Sequence, residues 1–130
     1  MKKLITVLAL TLSAFAFADS QNPALYASWQ SEIANTGQVH IVFTLKFAQD
    51  AMTATTTCSA NDQIVNVSVS GDYSATMDAI TVTSTAEKSD SVNGLNCNVS
   101  IKPASLSYKI EGDSLTLFQG GQSLVFSRVH

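Results

Sequence analysis

Apolar and polar residues alternate along most of the chain after residue 18, so that about every second side chain is apolar. The clearest alternation covers residues 39–47, 65–70, 80–83, 97–101 and 106–110. A period of two is typical of β-strands that bury one face, whereas an amphipathic helix has apolar residues every three or four positions. No long segment has the helical pattern. The sequence therefore predicts an all-β protein.

Short stretches rich in glycine, asparagine and aspartate separate these strands and predict tight turns. They lie at residues 35–37, 60–62, 70–72, 93–96, 111–113 and 120–121. Such short connections join antiparallel neighbours, so about eight or nine strands would follow one another as a meander. We expect an antiparallel up-and-down β-barrel of about eight strands, because closure removes the unpaired edges of a sheet. A β-sandwich built from the same strands is the alternative.

The first eighteen residues have the three parts of a secretory signal peptide. Lys2 and Lys3 precede an apolar run, and the segment ends with the small-x-small sequence of residues 16–18, Ala-Phe-Ala. We therefore expect residues 1–18 to be removed and residues 19–130 to form one exported domain. The short basic start and the alanine-rich end are typical of bacteria, so the predicted location is periplasmic or extracellular. No later run approaches the roughly 20 apolar residues of a spanning helix, and no membrane span is expected.

The charge balance of the exported domain disfavours nucleic acid as a partner. Loss of the two lysines of the signal segment leaves five basic residues against ten acidic ones, a formal charge of about −5. The remaining basic residues are scattered singly among acidic ones, whereas a nucleic-acid surface needs a basic stripe. We expect a soluble monomer without a nucleic-acid partner.

Cys58 and Cys97 are the two cysteines of the chain. An even number of cysteines in an exported protein predicts a disulfide. Each cysteine shares the phase of the inward residues of its strand, so the bridge should lie inside the barrel or at one mouth and join strands that are not neighbours. A metal or redox site is the alternative, but no histidine is nearby and the Cys-x-x-Cys spacing is missing.

Two segments at the ends of the expected domain are LYASW at 25–29 and SYKIEGDSLTLFQGGQSLVFSRV at 107–129. The first resembles the L-x-G-x-W start of lipocalins and of small bacterial secreted lipocalin-like (calycin-type) domains, with Ala27 in place of the glycine. The second resembles their closing hairpin, which ends in F-x-R. The resemblance implies that Trp29 packs under the barrel and that Arg128 lies across its ring. Such a contact contributes about 0.5–2 kcal/mol of cation-π energy and closes one end of the barrel.

No set of residues in the sequence predicts a catalytic site. His40 lies in the polar phase of its strand, and the acidic pairs Asp72 with Asp78 and Glu111 with Asp113 fall in predicted turns, where carboxylates accept backbone hydrogen bonds. The serines occur without the G-x-S-x-G sequence of a nucleophile elbow. We therefore expect a protein that is not an enzyme, with no cofactor and no metal site.

Two functional hypotheses remain. The apolar inward phase favours a binding protein that holds a small hydrophobic molecule inside the barrel. The residues predicted to contact such a ligand are Phe43, Val67, Val82 and Tyr108. The alternative is a protein-binding module, such as a periplasmic inhibitor of proteases or lysozymes, in which exposed loops contact the target and the interior is ordinary core.

Overall fold

The computed structural model describes residues 22–130, and the predicted signal segment 1–18 lies outside them. A 3-10 helix, Pro23–Leu25, precedes ten strands. No helix in residues 22–130 has the length and apolar character needed to cross a membrane. The strands are β1 (Ser28–Asn35), β2 (His40–Phe47), β3 (Ala51–Ala60), β4 (Gln63–Ala75), β5 (Ala79–Val82), β6 (Ala86–Val92), β7 (Leu95–Ile101), β8 (Ala104–Glu111), β9 (Ser114–Gln119) and β10 (Gln122–Val129).

Eight strands form a closed antiparallel barrel in the order β1-β10-β9-β8-β5-β4-β3-β2. A ladder between the first and last strands completes the closure, and in it Trp29 pairs with Arg128. The predicted barrel of about eight strands is therefore confirmed. Since the sheet closes on itself, the β-sandwich alternative is wrong. The apolar phase of the strands forms the core, whose largest fully buried side chains include Trp29, Phe126, Leu25, Ile80 and Leu115.

The outer face of the barrel carries the polar phase of the same strands. Threonines on β3 lie opposite hydroxyl and amide side chains on β4, and their side chains form hydrogen bonds across the two strands. The pairs are Thr53 with Ser70 at 3.1 Å, Thr55 with Ser68 at 2.8 Å and Thr57 with Asn66 at 2.6 Å. Cross-strand pairs of this kind stabilise a sheet by about 0.2–1 kcal/mol each. The period-two pattern thus separates a polar surface from an apolar interior.

The strand order departs from a simple meander between β5 and β8. These two strands pair directly, and β6 and β7 form a separate two-stranded sheet. A simple meander would have placed residues 97–101 in the barrel wall, but they form β7 outside it. The sequence did not indicate β6, because AEKSDSV has no apolar alternation, and all of its residues after Ala86 are exposed.

Gly71 of β4 lies beside the segment through which the chain leaves the barrel wall after β5. A Cβ atom at Gly71 would lie 2.9 Å from the Cβ atom of Ser84 and 3.6 Å from Cδ1 of Ile101. The backbone N–H of Asp72 donates a hydrogen bond to the Ser84 hydroxyl oxygen at 2.7 Å. The missing side chain of Gly71 therefore allows residue 84 to approach the inner face of β4, from which β6 and β7 begin.

β7 packs against β3 and β4 on the side that faces the interior of the barrel. Cys97 of β7 forms a disulfide with Cys58 of β3, and their Cα atoms are 5.9 Å apart. Both cysteines are buried, as are Val99 and Ile101, which follow Cys97 at every second position. The predicted disulfide is confirmed. It joins strands that are not hydrogen-bonded neighbours, because β7 pairs with β6 and only packs against β3.

One end of the barrel, called the sealed end here, is covered by the 3-10 helix and by Trp29. The indole is 0 % exposed, and its Nε1–H donates a hydrogen bond to the carbonyl oxygen of Leu25 at 3.1 Å. The guanidinium carbon of Arg128 lies 4.4 Å from the centroid of the Trp29 ring. Arg128 also donates a hydrogen bond from Nε to the Asp113 carboxylate at 3.2 Å. The first and last strands are therefore joined by side chains as well as by backbone.

Candidate functional site

An apolar cavity of about 390 Å³ lies at the opposite end of the barrel, near the β9–β10 turn. We call this end the open end and the cavity the rim cavity. The floor is formed by side chains that are buried or half-buried, and the rim by exposed ones. The residues that line it are Phe43, Leu106, Leu117, Phe118, Gln119, Gln122, Ser123, Leu124 and Phe126.

The register of β9 and β10 orders the lining by depth. Leu115 pairs with Phe126, Leu117 with Leu124 and Gln119 with Gln122, so that these pairs form three successive layers of one face. Phe126 and Leu115 are 1 % and 0 % exposed, whereas Leu124 is 40 % exposed. The cavity is therefore apolar at its floor and polar at its rim, where two amides lie opposite each other.

Two other strands complete the floor. Phe43 of β2 contacts Phe126 of β10 with ring centroids 6.1 Å apart and planes inclined by 53°. Tilted aromatic pairs at this distance are favourable and hold both rings in place. Leu106 of β8 lines the cavity next to Leu117 of β9. Because all of these residues lie on strands of a closed barrel, the floor is preformed by the fold.

The rest of the barrel interior contains protein side chains. β7 packs on β3 and β4, and the half of the barrel next to these strands is filled by the alternate residues of β7. The sealed end is filled by Trp29 and by Phe47, whose ring lies 5.2 Å from that of Tyr73. An apolar guest therefore finds room at the open end and not along the whole axis.

The structure separates the four residues predicted to contact a ligand. Phe43 lines the rim cavity, whereas Val67 is buried on β4, the strand that β7 packs against. Val82 is buried on β5, and Tyr108 lies toward the sealed end, where its hydroxyl donates a hydrogen bond to the carbonyl oxygen of Thr76 at 2.6 Å. The structure thus places only Phe43 at the rim cavity. Ligand contacts of the other three residues stay predictions.

Several lining residues were missed by the sequence interpretation. Gln119, Gln122, Leu124 and Phe126 belong to the last hairpin, which was interpreted through its resemblance and not through its phase. The inward phase could have been counted back from Arg128, since positions 126, 124 and 122 are two, four and six residues before it. The alternation of inward and outward positions could therefore have predicted about half of the residues that line the cavity.

The buried tyrosines show how the titratable groups of the interior are used. Burial raises the pKa of Tyr73 to about 12 and also raises the pKa of Tyr108. The Tyr73 hydroxyl donates a hydrogen bond to the carbonyl oxygen of Ala48, as Tyr108 does to Thr76. Both groups therefore stay protonated and satisfy backbone carbonyls away from the rim cavity.

The other titratable groups lie at the surface. Nε2 of His40 contacts the Glu32 carboxylate, and the two side chains are 43 % and 53 % exposed. His130 and Arg128 both contact the carboxylate of Asp113. Residues 22–130 contain no group of three or more histidine, cysteine, aspartate or glutamate residues that could hold a metal ion. In the described part of the chain, these groups form pairs on the surface and do not converge in a cavity.

Other concavities have a different character. One of about 500 Å³ lies between the β1–β2 and β3–β4 turns, and one of about 470 Å³ lies on the β6–β7 hairpin. Their linings are mainly the polar side chains of turns and of exposed strand positions, including Asn35, Gln38, Asn61, Asp62, Ser89 and Asn98. These two larger concavities therefore have less apolar linings than the rim cavity, which is the better candidate for an apolar ligand.

Comparisons with protein-family models, with curated proteins and with solved structures find no match to this chain.

Proposed function

We propose that the chain is an exported, non-enzymatic binding protein that holds a small hydrophobic molecule in the rim cavity. The observation that carries the proposal is the layered lining of β9 and β10, which combines an apolar floor with an open, polar rim. A closed eight-strand barrel with one end covered by Trp29 and Arg128 supports a lipocalin-like domain as the structural setting. The disulfide between Cys58 and Cys97 is compatible with the oxidising compartment that export would provide.

The volume of the rim cavity limits the guest. Ligand sites for small molecules occupy roughly 300–1,000 Å³, so a cavity of about 390 Å³ is at the small end of that range. Each methylene group that leaves water contributes about 0.8 kcal/mol, which corresponds to a roughly fourfold change in the dissociation constant. In a homologous series of aliphatic alcohols, the affinity should therefore rise about fourfold per carbon and stop rising when the cavity is full.

The chemistry of the lining supports binding without catalysis. None of the residues that line the rim cavity is an acid, a base, a cysteine or a histidine. Ser123 carries a hydroxyl, but the described residues place no histidine or carboxylate beside it in the lining. A nucleophile needs an adjacent base to react at neutral pH, so this lining offers contact and orientation only.

Displacement of a neutral fluorescent dye, N-phenyl-1-naphthylamine, by alcohols of six to ten carbons tests the proposal. Leu117→Arg should abolish binding because a long charged side chain on β9 fills the cavity. Met77→Arg is the matched control, because Met77 is 57 % exposed in the turn before β5 at the sealed end and the same charge is added there. Failure of every alcohol to displace the dye or to raise the melting temperature would reject the proposal.

Emission from Trp29 is a useful negative control in the same titration. The indole is fully buried at the sealed end, so a guest in the rim cavity should leave its emission maximum unchanged. The melting temperature should rise by mass action, with roughly 2.7 kcal/mol of stabilisation at a ligand concentration 100 times the dissociation constant. A shift in Trp29 emission on binding would mean that the guest occupies the interior and not the rim.

A protein-binding module is the second candidate, and the outer face of the last hairpin supports it. Phe118 and Val125 belong to the outward phase of β9 and β10 and are 41 % and 55 % exposed. Exposed apolar side chains on one hairpin favour contact with another protein. Native mass spectrometry of the purified protein with a panel of proteases and lysozymes tests this candidate. A stable complex that Val125→Lys disrupts, without any small molecule bound, would favour the inhibitor function.

A further inference from the structure

The rim cavity has no cation with which to neutralise an acidic ligand. Its lining contains three polar residues, Gln119, Gln122 and Ser123, and all of them are uncharged. The basic side chains in residues 22–130 lie on other parts of the barrel and its hairpin. They are Lys46 on β2, Lys88 on β6, Lys102 before β8, Lys109 on β8 and Arg128 on β10.

Two of these basic groups, Arg128 and Lys109, are held in ion pairs. Arg128 lies over Trp29 and contacts Asp113 at the sealed end, and Lys109 forms an ion pair with Glu111 at 3.5 Å. Elsewhere, Glu32 contacts His40, and Asp62 lies in the β3–β4 turn. The residues that line the rim cavity carry no formal charge.

The rim offers neutral hydrogen-bonding groups instead. Gln119 and Gln122 are ladder partners, so their amides extend from the same face of neighbouring strands above the layer of Leu117 and Leu124. Within residues 22–130, neither amide group forms a hydrogen bond to another residue. Each amide offers a carbonyl acceptor and an N–H donor pair. The arrangement therefore matches a ligand whose polar head both donates and accepts hydrogen bonds without carrying a charge.

We propose that the guest is a neutral amphiphile, with an aliphatic or aromatic body in the floor and an alcohol or amide head between Gln119 and Gln122. This inference rests on the proposed function and defines its ligand class. A fatty-acid carboxylate enters less well, because burial of an anion is unfavourable unless a cation or several donors compensate it. The selectivity therefore arises from the missing cation and not from the shape of the cavity.

Three probes with the same eight-carbon body test the ligand class, namely 1-octanol, octanamide and octanoate. At pH 7, octanol and octanamide should bind at least tenfold more tightly than octanoate in dye displacement and in calorimetry. The binding of octanoic acid should improve as the pH is lowered through the carboxyl pKa of roughly 4–5, because the neutral acid then accumulates. Equal or tighter binding of octanoate at pH 7 would overturn the ligand class while leaving the proposed function intact.

A substitution at the rim tests the position of the polar head. Gln122→Lys places an ammonium group at the rim and should improve the binding of octanoate relative to that of octanol at least tenfold. Gln30→Lys is the matched control, because Gln30 is exposed on β1 at the sealed end and the substitution adds the same charge. If Gln122→Lys leaves octanoate binding unchanged while octanol still binds, the head does not lie at this rim. If no probe binds, the proposed function fails together with the inference.

Discussion

Removal of the disulfide is the most informative perturbation of this barrel, because the disulfide ties β7 to the interior. The double variant Cys58→Ala with Cys97→Ala deletes the bond between residues separated by 39 positions. In the chain-entropy model, a closed loop of about this length stabilises the native state by roughly 4 kcal/mol. That amount is comparable to a large part of the stability of a small domain, about 5–15 kcal/mol.

The expected size of the effect can be expressed as a melting temperature. For a domain of about 110 residues, a loss of 1 kcal/mol lowers the melting temperature by roughly 4–6 °C. The double variant should therefore melt about 15–25 °C below the wild type. Both sulfur atoms are buried, so the two small voids left by truncation add to the loss.

The structural consequence should be local. Without the disulfide, β7 is held by the packing of Val99 and Ile101 and by its ladder to β6. Hydrogen exchange followed by mass spectrometry should show faster exchange in β6 and β7, whereas β9 and β10 keep their protection. Reduction of the wild type under native conditions is the matched control, because it breaks the same bond without a substitution.

Two results would refute this reasoning. A double variant that melts within about 3 °C of the wild type would contradict the stabilisation expected from loop closure. Equal exchange rates for β7 in the oxidised and reduced proteins would mean that apolar packing alone holds the strand in the barrel. In either case the disulfide would not be the element that keeps β7 inside.

Three further predictions concern single sites. Arg128→Ala removes the cation over Trp29, so stability should fall by about 0.5–2 kcal/mol, the melting temperature should fall by several degrees, and the emission of Trp29 should shift to the red. An unchanged melting temperature and emission would show that the contact adds nothing. Gly71→Ala should lower the free energy of unfolding, measured with denaturant, by about 1–3 kcal/mol, because the new Cβ would lie 2.9 Å from the Cβ of Ser84. Adding Ser84→Gly to the same chain should restore part of this loss. The pKa of Tyr73 is raised to about 12 in the folded state, so between about pH 10 and 12 the unfolded state loses this proton and the folded state keeps it. The stability of the wild type should therefore fall as the pH rises over that range. The fall should be less steep in Tyr73→Phe, which lacks the hydroxyl.

The barrel could be predicted from the sequence because its strands alternate between apolar and polar residues. In residues 39–47 and 65–70, each inward position is apolar and each outward position except Val42 is polar, so the pattern indicates both the strand and its buried face. The disulfide could be predicted for a different reason, since two cysteines in a chain with a predicted signal peptide allow one pairing. These features depend on local patterns or on simple counts.

The hairpin of β6 and β7 could not be predicted in the same way. β7 has the same alternation as a wall strand, and only tertiary contacts decide that it packs against β3 and β4 and does not join the barrel sheet. The residue that lets the chain leave the wall before β6 is Gly71, whose missing side chain makes room for Ser84. Because that contact joins a residue of β4 to one 13 positions later, between β5 and β6, the pattern of a single strand gives no indication of it.

The candidate site was predictable only in part, for a physical reason. Inward phase places Phe43, Val67 and Val82 in the interior, but it does not distinguish a side chain that lines a cavity from one covered by another strand. β7 makes that distinction, because it packs on β4 and leaves the β9–β10 side uncovered. A cavity is the space that packing fails to fill, so it depends on every neighbouring element at once.

The ladder between β1 and β10 also has a consequence for how the chain folds. It pairs Trp29 with Arg128 at nearly opposite ends of the described chain, so closure brings together residues about a hundred positions apart. Contacts of such long range form late, because the entropy of closing the intervening loop must be lost first. A chain that crosses a membrane from its amino end therefore cannot complete this barrel until its last strand has also crossed. During that interval β1 lacks one of its two neighbouring strands.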